Sequence, residues 1–197
     1  MARGTPEEAF AEASAAMARG DWPAFFACID RKSLLRIAEN GINRFLAGGP
    51  AASATFAALC DAQGVAAGRA TALQALGARI VASGQAMRAG ARTDPAAMVQ
   101  NSLQHQKLVT EYRDGVKALA GEAPNLAAFV AALETALRAE SGGGSVSSRL
   151  FLDETLGEVV VTGNKARATR RMASGATEDV SFAREKGQWV IKPFARI

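Results

Sequence analysis

The hydrophobic period of this chain changes once, and that change constrains the fold more than any other feature. Up to residue 141, apolar side chains recur every three or four residues, which is the period of an amphipathic helix. After the glycine-rich joint Ser141–Ser145, apolar and polar residues alternate, which is the period of a strand. Helices first and strands last predict an α+β protein, because a parallel α/β fold would alternate the two kinds of element.

Two helix starts lie close to the N-terminus. Thr5 can cap the free amides, Pro6 suits the first helical position, and Glu8 completes a capping box. Gly20 and Asp21 then predict the end of that helix and the N-cap of the next one.

A third helix is predicted to end at Asn40-Gly41, and residues 47–141 are predicted to be a helical insertion. The insertion lies between the N-terminal helices (1–46) and a C-terminal sheet (146–197), within a single domain. One inserted helix, opened by Thr93-Asp94-Pro95, has inward positions spaced alternately by four and three residues. These positions are Met98, Ser102, His105, Val109, Tyr112, Val116 and Leu119. Such a seam is typical of a coiled coil or of one face of a helix bundle.

The last 50 residues contain short segments with strand character, separated by turn residues. The predicted strands are Arg149–Leu152, Glu158–Val161, Lys165–Met172, Glu178–Arg184 and Gln188–Lys192. The connections contain Gly163-Asn164, Ser174-Gly175 and Lys186-Gly187, which are typical of tight turns. The sequence therefore predicts an antiparallel meander.

The net charge of +4 is concentrated in this last part of the chain. From residue 165 onwards there are eight basic and three acidic residues. Lys165, Arg167 and Arg171 alternate onto one strand face, and Lys192 is placed to join them from a neighbouring strand. This basic face could bind a polyanion. It could also be a solvated outer face, or the charged surface that one copy contributes to a dimer interface. No aromatic residues interleave with the cations, which argues against nucleic acid as the partner.

Cysteine usage and the N-terminus bear on cofactors and compartment. Cys28 and Cys60 form no Cys-x-x-Cys pair, and two thiols alone predict neither a metal site nor a disulfide framework. The sequence contains no phosphate loop or dinucleotide fingerprint, so no cofactor is expected. The start MARGTPEEAF lacks the apolar core of a secretory signal, and no run of about 18 uncharged apolar residues occurs. We therefore expect a cytoplasmic protein without a membrane span.

Both ends of the chain resemble a known superfamily. The start, TPEEAFAEASAAMARGDWPAFFACI, pairs a capped helix with a short aromatic one, and the end is GEVVVTGNKARATRRMASGATEDVSFAREKGQWVIKPF. Together they resemble the nuclear transport factor 2-like superfamily, a cone-shaped α+β fold that includes ketosteroid isomerases and polyketide cyclases. The resemblance implies a curved sheet wrapped around a pocket that the N-terminal helices cap. It covers about 30 residues at the start and about 50 at the end, and the helical insertion departs from it.

The only histidine and the only tyrosine, His105 and Tyr112, lie seven residues apart on the predicted seam. They could form a proton-donor pair at a pocket wall, or they could be amphipathic side chains within a helix interface. The resemblance implies a pocket Asp or Glu as catalytic base, and the matching helices contain Asp21 and Asp30. Both are better explained as helix caps, so no catalytic residue is assigned.

The resemblance also implies that Trp22, Phe25, Phe26 and Trp189 face the interior of the cone. They could form an aromatic core or contact an apolar ligand. We therefore expect a non-catalytic binding or interaction module, which holds a small apolar ligand or a protein partner and self-associates through its sheet or its inserted helices. The alternatives are a small-molecule isomerase or cyclase, with His105 and Tyr112 in the pocket, and polyanion binding by the basic face.

Overall fold

The computed structural model describes residues 3–90, 95–140, 154–172 and 174–193. Within these ranges seven helices precede four strands, so the predicted α+β class is confirmed. The helices are α1 Pro6–Ala18, α2 Trp22–Ala27, α3 Arg31–Ala47, α4 Gly49–Ala62, α5 Ala67–Gly90, α6 Pro95–Glu122 and α7 Leu126–Glu140. The strands are β1 Thr155–Thr162, β2 Lys165–Arg171, β3 Thr177–Glu185 and β4 Gln188–Lys192. The predicted strand Arg149–Leu152 and the helix-start residues Thr93-Asp94 lie outside the described residues.

The helix starts near the N-terminus form as their capping residues predict. The Thr5 hydroxyl accepts a hydrogen bond from Glu8 N at 3.2 Å, and the Glu8 carboxylate accepts one from Thr5 N, also at 3.2 Å. Gly20 has the left-handed φ of 70°, and the Asp21 carboxylate accepts from Ala24 N at the start of α2. The predicted capping box is confirmed, and so are the predicted end of α1 at Gly20 and the predicted N-cap of α2 at Asp21.

The predicted end of the third helix at Asn40-Gly41 is wrong, since α3 continues to Ala47. The residues Leu34, Ala38, Ile42 and Phe45 are all buried and lie on one helical stripe that runs through the glycine. A glycine inside a helix costs about 1 kcal/mol relative to alanine. Burial of a single large side chain contributes more than that, so packing overrides the local preference.

The four strands form an antiparallel meander in the order β1-β2-β3-β4, as predicted. Ala166, Phe182 and Ile191 lie directly opposite one another across β2, β3 and β4, and all three are buried. The free edge of β4 is covered by the N-terminal segment: Ile191 N donates to Cys28 O at 2.8 Å, and Trp189 N donates to Arg3 O at 3.0 Å. These bonds satisfy edge groups that would otherwise be open to another strand.

The chain divides into two compact units. The first contains Met1–Ala38 and Asn125–Ile197, and the second contains Glu39–Pro124. In the first unit α1 contacts β4 and β1, and α7 packs against α2. The elements that the structure describes in the second unit are all helices. This unit covers most of the predicted insertion, 47–141, whereas α7 belongs to the first unit.

In the second unit, α4 packs on α5, and α5 packs along α6. The rings of Phe45 and Phe56 stack in its core with centroids 5.7 Å apart, and neither ring is exposed. On the predicted seam of α6, Val116 and Leu119 are buried, and His105 and Tyr112 are half-buried. These inward positions are confirmed.

Beyond Leu76 and Leu108, the α5–α6 hairpin is far less covered. We call residues 77–90 and 95–107 the helical arm; none of the arm side chains that the structure describes is buried. The inward prediction for Met98 is wrong, because this side chain is 45% exposed. Among the described arm residues, Gly77, Ala78 and Val81 share a groove with α3 and α4, and the side chains further along the arm are half-buried or exposed.

Candidate functional site

The helical unit contains an open groove of about 930 Å³. Its walls come from the end of α3, from α4 and from α5, and Tyr112 of α6 contributes to its lining. The polar lining residues are all uncharged, namely Asn43, Ser53, Thr71, Gln74 and Tyr112. The others are apolar or small, and Leu46, Ala57, Leu73 and Val81 are among them. We call this depression the neutral groove, because none of its described lining residues carries a charge.

The Tyr112 ring lies beside a position on α5 that has no side chain. A Cβ atom at Gly77 would be 3.8 Å from Tyr112 Cε2, which is ordinary van der Waals contact. Burial raises the pKa of the Tyr112 hydroxyl above its usual value, because the phenolate would lose hydration. Tyr112 therefore stays protonated at neutral pH and can donate or accept a hydrogen bond in the groove.

His105 does not line the neutral groove, although it lies two turns before Tyr112 on the same helix. Its ring is next to α5, where a Cβ atom at Gly84 would be 3.7 Å from His105 Cε1. The His105 Nδ1 atom is buried and has no hydrogen-bond partner among the described residues. Of the two residues that the sequence suggested as a proton-donor pair, only Tyr112 reaches this groove.

The predicted aromatic set lies in the first unit and is mostly buried there. Phe25 and Phe26 are buried on α2 with ring centroids 5.1 Å apart, and Trp189 is buried on β4. Trp22 is half-buried, and the Arg138 guanidinium lies 3.8 Å from the centroid of its ring. Edge-to-face aromatic contacts and a cation–π contact of this kind stabilise a core, so packing accounts for these positions.

Two buried polar groups mark the junction between α3, the N-terminal segment and β4. Asp30 is 2% exposed, and its Oδ1 caps α3 by accepting from Ser33 N at 3.1 Å, as expected of a helix cap. The Arg3 guanidinium donates to Cys28 Sγ at 3.2 Å and to Gln188 Oε1 at 2.8 Å. Burial raises the pKa of the Cys28 thiol, so the sulfur is uncharged where Arg3 meets it. Arg3 could not be predicted from the sequence, because no neighbouring residue indicates that Cys28 and Gln188 are its partners.

The basic face lies on the solvent side of the sheet. Lys165, Arg167 and Arg171 are exposed along β2, as the alternation predicted. Ser181 of β3 lies opposite both Arg167 and Lys192, so the two cations flank a hydroxyl in one cross-strand row. Residues paired across a sheet point to the same face, so all three are available to one ligand.

Arg170 belongs to the opposite face and has anionic partners of its own. Its guanidinium binds Glu178 at 2.6 Å and Glu154 at 3.1 Å. This arginine is therefore part of a structural ion-pair cluster and not of the basic face.

A smaller depression of about 430 Å³ lies along α5 and α6 and is lined by charged residues as well as apolar ones. Arg69, Arg79 and Glu111 line it together with small side chains such as Ala72. Leu73 lines both depressions. We call the smaller one the charged groove, and it provides a comparison for the neutral groove.

Comparison with protein-family models, with curated proteins and with solved structures finds no match for this chain. Within the described ranges, no three His, Cys, Asp or Glu side chains come together as a metal site would require. No single described helix is both long and apolar enough to cross a membrane. By length and composition alone, α6 and α7 would pass that test only as a bent pair.

The groove residues Asn43, Ser53 and Gln74 were not predicted from the sequence. Ser53 is the clearest of them, because it is a buried hydroxyl within an alanine-rich helix. A polar residue in an apolar helix face is a signal that could have been found. That the three residues share one groove depends on how the helices pack.

Proposed function

We propose that this chain is a non-catalytic binding module of the cone-shaped nuclear transport factor 2-like type, and that it associates with a second copy through its helical arm. The observation that carries the association is the exposed apolar surface of that arm. The family type is supported by the resemblance of the two ends of the chain and by the contacts of α1 with β4 and β1. Val81 is 61% exposed, Val99 57% and Leu103 62%, in addition to Met98. Large apolar side chains that stay exposed on a helix pair suit an interaction surface.

The geometry of a hairpin explains why a second hairpin is a suitable partner. Two helices bury only one stripe each against the other, and stable helical proteins add a further layer. A second arm would supply that layer and complete a four-helix arrangement by two-fold symmetry. Arg79 lines the charged groove, whereas Val81 lines the neutral groove, so this cation and this apolar residue lie on different flanks of α5.

The size of the apolar surface indicates a weak dimer. Burying the exposed part of each of the four side chains would contribute about 1–2 kcal/mol. Each residue counts twice in a symmetric dimer, which gives roughly 8–16 kcal/mol before the cost of association. With that cost taken as about half of the gain, a net of roughly 4–8 kcal/mol remains. The expected dissociation constant therefore lies between about a micromolar and a millimolar.

The experiment is a concentration series by multi-angle light scattering or sedimentation equilibrium. The protein is expected to change from monomer to dimer as its concentration rises to roughly 1 mM. Leu103→Glu removes apolar area and places a charge in the interface on both copies. It should raise the dissociation constant at least about 30-fold.

The control is Gln104→Glu, which adds the same charge at an exposed neighbouring position about 100° away around the helix. It should leave the dimerisation curve nearly unchanged. A chain that stays monomeric over the whole range, or two variants with the same effect, would contradict dimerisation through the arm.

Two observations support the non-catalytic part of the proposal and a cytoplasmic location, which we also propose. Tyr112 is the only titratable residue among the described lining residues of the neutral groove, whereas an isomerase mechanism uses an acid and a base at one site. Cys28 and Cys60 are both free and buried, which suits a reducing compartment. Tyr112→Phe together with His105→Phe tests the isomerase alternative, because it should abolish any turnover that depends on them.

A second candidate function is anion binding by the basic face, which the cross-strand row of Arg167, Ser181 and Lys192 favours. Two cations on either side of a hydroxyl suit a phosphate group. Binding to a polyphosphate should weaken steeply with added salt, because each phosphate contact releases counterions. Affinity that is insensitive to salt would contradict this candidate.

A further inference from the structure

We propose that the neutral groove is a binding site for an uncharged, mainly apolar small molecule that carries one or two hydrogen-bonding groups. This inference goes beyond self-association. Val81 belongs both to the groove and to the exposed surface of the arm, so binding is measured below about a micromolar, where the chain is expected to be monomeric. The groove volume of about 930 Å³ is at the upper end of the range for small-molecule pockets. Apolar walls with a few hydroxyl and amide groups are the usual composition of such sites.

The charge of the lining decides the class of ligand. Charged residues make up 21% of the chain, yet none of the described residues that line this groove is charged. A ligand with a net charge would lose hydration here and would find no counterion, which is unfavourable. An uncharged ligand meets no such cost. The charged groove, lined by Arg69, Arg79 and Glu111, shows the kind of lining that an ionic ligand would need.

The depth of the polar residues indicates where the ligand forms its hydrogen bonds. Ser53 is buried and Tyr112 is half-buried, whereas Asn43 and Thr71 are exposed. Gln74 is half-buried too, so Ser53, Gln74 and Tyr112 provide the inner polar groups, and Asn43 and Thr71 lie at the rim. Tyr112 remains protonated, as its raised pKa requires, and so offers a neutral donor and acceptor.

Two fluorescent probes with the same aromatic framework test the proposal. N-phenyl-1-naphthylamine is neutral and has one N–H donor, whereas 8-anilino-1-naphthalenesulfonate adds a sulfonate. The neutral probe is expected to bind saturably, with one site per chain, and at least about tenfold more tightly than the anionic probe. Equal or tighter binding of the anionic probe at the same site would overturn the assignment to an uncharged ligand.

Matched alanine variants on α5 locate the site. Ala78 lines the neutral groove and Ala72 lines the charged groove, and both are exposed. Ala78→Trp should weaken the neutral probe at least about tenfold, and Ala72→Trp should change its affinity less than about twofold. If Ala78→Trp fails to fold by circular dichroism, Ala54→Trp blocks the same groove from α4. Unchanged binding in the folded blocking variant would overturn the proposal.

Two further measurements separate this site from self-association. Tyr112→Phe should weaken the neutral probe about threefold to tenfold, which is the loss expected for one neutral hydrogen bond. Below about a micromolar, where the chain is expected to be monomeric, Leu103→Glu should leave probe affinity unchanged, because Leu103 is not among the groove residues. If the probe bound only in the Leu103→Glu variant, a second copy would be the occupant of the groove, and the small-molecule site would be refuted.

Discussion

The contact between α5 and α6 rests on a glycine whose replacement should be costly. Gly115 lies on the α6 face that meets α5, and a Cβ atom there would be 2.7 Å from Leu73 Cδ2 and 3.7 Å from Leu73 Cγ. Leu73 is 5% exposed, so its side chain has little room to move. Gly84 is the matched control at the same helix contact, because its added Cβ atom would be 3.7 Å from the nearest neighbour, His105 Cε1.

The expected magnitudes follow from two opposing effects. Replacing a glycine inside a helix with alanine stabilises it by about 1 kcal/mol. Overpacking a well-filled contact costs about 1–3 kcal/mol. Gly84→Ala should therefore raise the free energy of unfolding by about 1 kcal/mol, whereas Gly115→Ala should lower it by up to about 2 kcal/mol.

The assay is urea unfolding followed by circular dichroism at the helix band. Tryptophan fluorescence is unsuitable, because Trp22 and Trp189 both belong to the first unit, whereas this contact is in the second. A double-mutant cycle with Leu73→Ala identifies the cause. The double variant should be more stable than the sum of the two single losses predicts, by about 1–3 kcal/mol, because the atoms that clash are gone.

Two results would refute this reasoning. If Gly115→Ala stabilises the protein as much as Gly84→Ala does, the Leu73 side chain does not occupy the space beside position 115. If the losses from Gly115→Ala and Leu73→Ala simply add, the two residues do not interact.

Three other predictions concern single residues. Burial raises the pKa of the Cys60 thiol to about 11. The folded chain therefore keeps this proton at a pH where the unfolded chain, with a thiol pKa of about 8.5, has lost it. The protonated thiol therefore contributes about 3 kcal/mol to the free energy of unfolding below about pH 8.5, and this contribution is lost as the pH rises towards 11. Cys60→Ala should remove this part of the pH dependence in alkaline denaturation curves. Thr5→Ala removes the N-cap of α1 and should cost about 1 kcal/mol in urea unfolding, and a loss below about 0.3 kcal/mol would contradict the capping role. Phe56→Ala empties a fully buried site beside Phe45 and should cost about 3–5 kcal/mol by the same assay, whereas a loss under about 1 kcal/mol would mean that the two rings do not share a core.

The predictions from the sequence were confirmed where a feature depends on residues that are close together in the chain. The capping box at Thr5 and Glu8, the restart at Asp21 and the tight turns of the meander each depend on a few neighbouring residues. The exposed row of cations along β2 follows from the two-residue period of a strand. Such features can be predicted because the residues that form them are adjacent in the chain.

The predictions from the sequence were wrong where contacts between residues far apart in the chain determine the structure. Gly41 was expected to end a helix, but the buried stripe that includes Ile42 and Phe45 carries α3 through it. Met98 has the seam spacing and is nevertheless exposed, because periodicity shows which face of a helix turns inward and not whether a neighbour covers it. The candidate site was found only in part for the same reason. Tyr112 was anticipated, and Ser53 and Gln74 were not.

The sequence by itself determined the order of the elements, the helix caps, the strand alternation and the class of fold, since each depends on contacts over a few residues. The tertiary structure alone decided which polar residues of α3, α4, α5 and α6 share a groove without charge, and which described side chains of the α5–α6 hairpin stay unburied. Those outcomes depend on helices brought together from distant positions in the chain. Their packing is set by the summed burial of many side chains and not by any short motif.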